Sequence, residues 1–218
     1  MDRCEGCALS KLDIIHRVCI PPPSDKIRGC LISRDPTYAF LDPLEKYRQL
    51  PTDQRVNLWL NAPPCWLCNK IRVFMNFPEN SPEIIKLRDF LNHECYWTHF
   101  HKCPTYKPIK KDDQNRFGEK KQYYPPFRYS AAKSCANRWF EFEFNKYGLK
   151  DKIIITLGRD TEKFFNQWSI LQLGEKSNQV ISLPHPSDAN CGNGWSWNKN
   201  SKQKEFIVNE ITRFLQLI

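Results

Sequence analysis

Two kinds of chemistry are spaced along this chain. The first is acid–base and electrostatic. Asp35 closes the stretch Gly29-Cys30-Leu31-Ile32-Ser33-Arg34-Asp35-Pro36, and His185 sits between two prolines in Leu183-Pro184-His185-Pro186-Ser187. A carboxylate and an imidazole brought to one place can move a proton or stabilise charge developing on a bound group. His185 has little backbone freedom to lose, because proline restricts both itself and the residue before it. The second kind is thiolate chemistry. Cys4-Glu5-Gly6-Cys7 and Cys65-Trp66-Leu67-Cys68 are both C-x-x-C pairs. Two thiolates at that spacing reach one metal centre, and two such pairs complete a zinc site. Cys65 and Cys68 also stand at helical spacing beside Leu67 and Ile71, and packing into a core is the preferred reading for them.

Short apolar runs must position these groups. Gly29 to Ile32 has no alternation, which suits a strand buried on both faces, over about 28–33. Pro36 ends it and biases Asp35 toward an extended backbone. A carboxylate is thereby fixed just past the carboxyl end of an inner strand, where ligands bind in open α/β sheets. A turn aspartate accepting backbone hydrogen bonds is the plainer alternative. Cys95 to Phe100 reads as a second strand that runs into His101-Lys102-Cys103-Pro104, Lys152 to Leu157 as a third, and Gln179 to Leu183 as a fourth. Helical patterns alternate with them. One covers 64–77 after Pro63, and one runs from 81 to about 91 with Ser81 as cap and Pro82 at its first position. The next spans 130–147, with a stripe of Ala132, Cys135, Trp139 and Phe142 and Gly148 as its stop. The last two cover about 160–168 and 201–217. The order predicts α/β architecture: a three-layer αβα sandwich around a central four-stranded, mostly parallel sheet. One rim of that sheet would collect Asp35, His99, Gly158 and His185. Cys30, Cys95 and Cys19 read as core residues, and Cys191 has no assigned role.

The 218 residues fit a single domain, 1–218, with a basic, aromatic-rich insertion at about 104–130. The net charge of +9 points to a polyanionic partner, most simply nucleic acid. From Lys102 to Lys133 there are nine Lys or Arg against three Asp or Glu, Lys110, Lys111, Lys120 and Lys121 among them. Tyr106, Phe117, Tyr123, Tyr124, Phe127 and Tyr129 are interleaved. That mixture suits phosphate contacts plus stacking on unpaired bases, and a solvated insertion anchored by some of its aromatics fits it equally well. No apolar run approaches the ~20 residues of a membrane span. No apolar segment follows Met1, so a cytoplasmic chain is expected, associated with the nucleoid if its source is prokaryotic. Ten cysteines in such a setting favour metal ligation over disulfides.

Taken in order, these segments resemble the uracil-DNA glycosylase superfamily, most of all its iron–sulfur branches from thermophiles and archaea. Ser33-Arg34-Asp35-Pro36 resembles the first family motif, Leu183-Pro184-His185-Pro186-Ser187 the late His-Pro-Ser motif, and Tyr96 to Pro104 the segment that closes with Lys-Cys. Ile153 to Gly158 matches the strand-Gly step before a helix. The resemblance implies a fold of that type and a monofunctional glycosylase that hydrolyses a deaminated or damaged base from DNA in base excision repair, acting as a monomer. No lysine sits in these motifs where a strand-cleaving lyase would need one. It implies that Asp35 positions water or stabilises the sugar cation, and that His185 bonds O2 of the departing pyrimidine. Ser187 and Arg34 would contact the DNA, joined by the basic insertion. Phe40 would stack on the flipped base, in a pocket shared with Ser33 and His99. It also implies a [4Fe–4S] cluster on Cys4, Cys7, Cys103 and Cys135.

Three departures stand out. His99 occupies the place where the family carries an Asn that reads uracil, and an imidazole offers one donor or acceptor per nitrogen rather than an adjacent pair. The first motif lacks its usual Gly. The late loop lacks its large wedge residue, a gap that Trp195 or Trp197 could fill. Two rival readings follow: a non-catalytic nucleic-acid-binding protein on the same fold, and a zinc-binding interaction protein using Cys4, Cys7, Cys65 and Cys68.

Overall fold

The computed structural model describes Cys4, Cys7 and residues 24–34, 66–103, 129–173, 179–186, 196–198, 200 and 202–218. Four strands lie within them, β1 (Gly29–Ser33), β2 (Cys95–His99), β3 (Ile153–Leu157) and β4 (Val180–Leu183), in the order β2-β1-β3-β4. All three pairings are parallel. The two inner strands are the ones with unbroken apolar runs, as burial on both faces requires. Gly29 opens β1 because the Phe90 ring presses against its backbone, where a Cβ would collide with the ring.

Strand alternation divides the core into two layers. On one face Leu31, Ile155, Leu157, Ile181 and Leu183 pack against α1 (Trp66–Met75), α2 (Pro82–Asp89) and α5 (Lys204–Leu217), through Leu67, Ile71, Ile84, Ile211 and Phe214. On the other face Cys30, Ile32, Tyr96 and Ile154 pack against α3 (Tyr129–Tyr147) and α4 (Arg159–Leu173). That second layer is aromatic. Phe100 stacks on Phe164 at 4.9 Å, and Trp168 meets Phe144 at 4.8 Å and Phe140 at 5.4 Å. Each fully buried ring contributes roughly 1.5–3 kcal/mol.

Local signals account for the helix ends. Ser81 caps α2 with its hydroxyl accepting from the Ile84 N–H, and Pro82 takes the first position. Gly148 ends α3 in the left-handed region, and the Leu149 N–H returns to the Phe144 carbonyl. Asn76 ends α1 in the same manner. Three features differ from the sequence pattern. A π-helical turn, Phe90–Glu94, joins α2 to β2. Helix α4 continues to Leu173 rather than stopping near Trp168. The buried face of α3 runs through Ala132, Ala136, Phe140 and Phe144, leaving Cys135 and Phe142 on its flank. Ala132 and Trp139 of the expected stripe are buried, and a carboxylate, Glu143, also occupies a buried position on the helix.

The open edge of β4 is closed by side chains of α5. Glu210 accepts from the Ser182 N–H at 2.8 Å, and Arg213 donates to the Val180 carbonyl. Outward ladder groups that would otherwise template another strand are thus occupied. Among the described residues, no helix is long and apolar enough to cross a membrane.

Candidate active site

Because all four strands run the same way, their carboxyl ends share one rim. His99 ends β2 and is in register with Ser33, the last residue of β1. Gly158 follows β3, and its N–H donates to the Leu183 carbonyl at 2.8 Å, which binds it to the end of β4. His185 lies two residues further on. Thus His99 ends one outer strand and His185 lies two residues past the other, while Ser33 ends one inner strand and Gly158 follows the second. Three interstrand spacings separate the backbones of the outer strands, about 14 Å.

His99 is 5% exposed, and its Nδ1 meets no hydrogen-bond partner among the described residues. Burial, then the charges of Lys102, His185 and His101, push its pKa down to about 3. His99 is therefore a neutral imidazole at any physiological pH, with one donor and one acceptor nitrogen.

His185 is held from several sides. The Trp197 indole N–H donates to its carbonyl at 3.1 Å. Trp197 itself packs edge-on against Phe74 at 5.7 Å, at the margin of the α1 layer. It therefore braces the His185 backbone against the α1 layer. Gly158 adopts φ +88°, and a Cβ there would lie 3.6 Å from the His185 Cβ. The ring of Trp66, the first residue of α1, stands edge-on to the His185 ring with centroids 6.3 Å apart.

The neighbouring residue of β2 faces the other layer. Thr98 donates to Glu143 Oε2 at 2.9 Å and Tyr96 donates to Glu143 Oε1 at 3.2 Å. Lys102, 1% exposed, reaches the same carboxylate at 2.7 Å and also donates to the Thr98 hydroxyl. Its ammonium lies 5.3 Å from the centre of the Phe140 ring. A buried ion pair thereby ties the end of β2 to α3.

The cysteines gather beside that pair. Cys4 and Cys7 form a closed turn, with the Cys7 N–H donating to the Cys4 carbonyl at 2.9 Å. The Lys102 backbone N–H donates to Cys135 Sγ at 3.3 Å, and His101 Nδ1 bonds the Cys103 carbonyl at 2.8 Å. Burial drives the Cys135 thiol up to about 12, and Cys103 and Cys4 each add to that rise. Sulfurs from the N-terminal turn, the turn after β2 and helix α3 therefore lie within electrostatic reach of one another. Among the described residues no group of three or more His, Cys, Asp or Glu is close enough to hold a single ion. Ligands of an iron–sulfur cube stand further apart than ligands of one ion, since the inorganic core separates them. A set of thiols with an N–H directed at one sulfur fits such a cluster in chemistry. Cys68 lies on the other side of the sheet, buried among Leu67, Ile71 and Ile84 with its sulfur toward the Ile84 carbonyl at 3.8 Å. That separates it from Cys4, its partner in the zinc reading. Cys30 and Cys95 are core residues, as their strand positions implied.

The rim thus brings together Ser33, His99, Gly158 and His185. Arg34 extends from the end of β1 and lies 4.0 Å from Asp160 at the start of α4. Asp35, Phe40, Ser187, Lys110, Lys111, Lys120, Lys121, Cys65, Cys19, Cys191 and Trp195 lie outside the described residues. Motif reading did not single out Trp66, Lys102 with Glu143, or the bracing role of Trp197. A helix-opening tryptophan after Pro63-Pro64 was the one local signal for Trp66.

A family model described as the uracil DNA glycosylase superfamily matches residues 65–212. That span holds α1 through β4 with His99, Cys103, Cys135 and His185, and it begins after β1 and Asp35. No curated protein matches the chain.

Proposed function

The chain belongs to the uracil DNA glycosylase superfamily, and on that premise we propose that it hydrolyses the N-glycosidic bond of uracil or a related lesion, such as hypoxanthine, flipped out of DNA. Membership supports a glycosylase-type hydrolase with DNA as its partner. The observation that supports the reading is that His99 at the end of β2, Ser33 at the end of β1, and Gly158 beside His185 just past β3 and β4 share the carboxyl rim of one parallel sheet.

The base must leave the duplex stack before that rim can receive it. As the N-glycosidic bond breaks, its electron pair stays on the base and positive charge develops on the sugar. An N–H of His185 bonds the base oxygen that gathers negative charge, and its restrained backbone holds that donor in advance. Asp35 steadies the sugar cation or takes a proton from the incoming water, whose oxygen then joins C1′. The products are a free base and an abasic sugar. His99, neutral and lacking a described partner at Nδ1, reads the edge of the base through one hydrogen bond.

Cys4, Cys7, Cys103 and Cys135 would hold a [4Fe–4S] cluster. Bound there, it supplies a cross-link among the N-terminal turn, the turn after β2 and α3. The burial of Cys68 in the opposite layer favours the cluster over the zinc alternative.

Base release from single-stranded and duplex DNA carrying uracil, hypoxanthine or xanthine tests the proposal. Wild type is expected to release at least one of these bases, and Asp35→Ala and His185→Ala to release it at least about 100-fold more slowly. DNA binding without release from any substrate would replace the glycosylase with a nucleic-acid-binding protein on the same fold.

A further inference from the structure

We propose that Glu143 is a positioning residue for His99. By holding Thr98 and Lys102, the two ends of the short segment that carries the imidazole, it sets which base the site accepts. The choice of base rests on the glycosylase reading, whereas the clasp does not.

His99 closes β2, an outer strand whose one neighbour among the described strands is β1. Beyond it the Phe100 N–H donates to the Ser33 carbonyl at 3.0 Å and the His101 N–H to the Arg34 carbonyl at 2.9 Å, which prolongs that pairing. A second restraint closes the segment on itself. The Lys102 ammonium donates to the Thr98 hydroxyl, four residues back. That hydroxyl gives its own proton to Glu143 Oε2 at 2.9 Å, and Lys102 also reaches Oε1 of the same carboxylate at 2.7 Å. One carboxylate on α3 thus grips positions 98 and 102, and His99 lies between them. Thr98, Lys102 and Glu143 are all buried, so water has little access to loosen the grip. A buried ion pair is a weak source of stability, since apolar residues of similar volume often hold a core as well. What this one supplies is direction, because each carboxylate oxygen meets defined donors of β2 and the turn after it. Strand alternation sends the Thr98 and His99 side chains to opposite faces. The grip on Thr98 therefore acts on His99 through the peptide they share. A base read through one hydrogen bond tolerates little movement of that ring, because such bonds weaken steeply away from their preferred angle.

The test uses the full-length protein and two variants that leave the ion pair in place. Thr98→Val keeps the shape and loses both bonds of the hydroxyl, and Thr98→Ser keeps the hydroxyl. Affinities are measured for oligonucleotides carrying 2′-fluoro-2′-deoxyuridine or 2′-fluoro-2′-deoxyinosine, whose glycosidic bonds resist cleavage, so the readout does not depend on base release. Thr98→Val is expected to change the ratio of the two affinities about fivefold, as one misaligned hydrogen bond does, and Thr98→Ser to stay within about twofold of wild type. In a His99→Ala background the reading group is gone, and Thr98→Val is expected to leave the ratio unchanged. An unchanged ratio in Thr98→Val, whatever its melting temperature, makes the network structural only and overturns the proposal. A changed ratio that persists undiminished in the His99→Ala background overturns it as well. A ratio shifted by valine and kept by serine, in a protein that releases neither uracil nor hypoxanthine, leaves the positioning role standing while the glycosylase reading falls.

Discussion

The ammonium of Lys102 lies 2.7 Å from Oε1 and 2.8 Å from Oε2 of Glu143, and both side chains are withdrawn from solvent. The pair joins the turn that carries Cys103 to the helix that carries Cys135. Removing one partner strands the other charge in a low-dielectric layer, a loss of about 3–5 kcal/mol. Lys102→Met is therefore expected to lower the denaturation midpoint sharply. The double variant Lys102→Met with Glu143→Gln should recover part of the loss, because the amide still meets Tyr96 and Thr98 without an unbalanced charge. Urea melts of the three proteins check this.

His99 makes stability sensitive to acid. Its folded pKa, about 3, lies below the ordinary histidine value of 6.5. Between those values the unfolded chain takes up a proton that the folded chain refuses, so stability falls as pH drops from 6.5 toward 3. Above pH 6.5 the contribution is fully retained. His99→Gln is expected to flatten the melting temperature across that window. The same variant should alter the ranking of released bases, since an amide presents a donor and an acceptor together.

Trp197 steadies His185 through one hydrogen bond and one ring contact. Trp197→Phe keeps an aromatic ring beside Phe74 and loses the N–H. A stability loss of about 1 kcal/mol is expected, with base release slowed more than that loss alone explains. Thermal melts and single-turnover rates, taken together, separate the two effects.

The cysteine assignments divide cleanly by colour. Cys103→Ala and Cys135→Ala are expected to abolish visible absorbance and iron content in protein purified without oxygen. Cys68→Ala should keep both and lose only packing stability, about 1–2 kcal/mol for a small buried side chain. Retained colour in Cys103→Ala, or colour lost in Cys68→Ala, would count against the cluster.

Much of the architecture was legible before any coordinates. The unbroken run Gly29–Ile32 marked an inner strand, the run to Leu157 marked a strand without its place in the sheet, and Ser81, Pro82 and Gly148 marked helix ends. Less of the site was. His185 was visible because two prolines flank it, and His99 because it closes a strand. In α3 the pattern located Ala132 and Trp139 in the core but not Glu143, because a carboxylate is ordinarily assigned to solvent.

By itself the sequence determined the strands, the helix caps and the one rim on which a parallel sheet gathers its strand ends. These follow from residue type within a few positions, where sterics, missing N–H groups and period-two burial act directly. Only the tertiary structure decided that Lys102 meets Glu143 in the core, that Trp197 holds His185, and that Trp66 stands beside it. Those relationships join groups 41 and 12 residues apart, and in the last case positions 66 and 185 of the chain. A buried lysine is tolerable only where a distant carboxylate meets it, and no local pattern carries that partner's position.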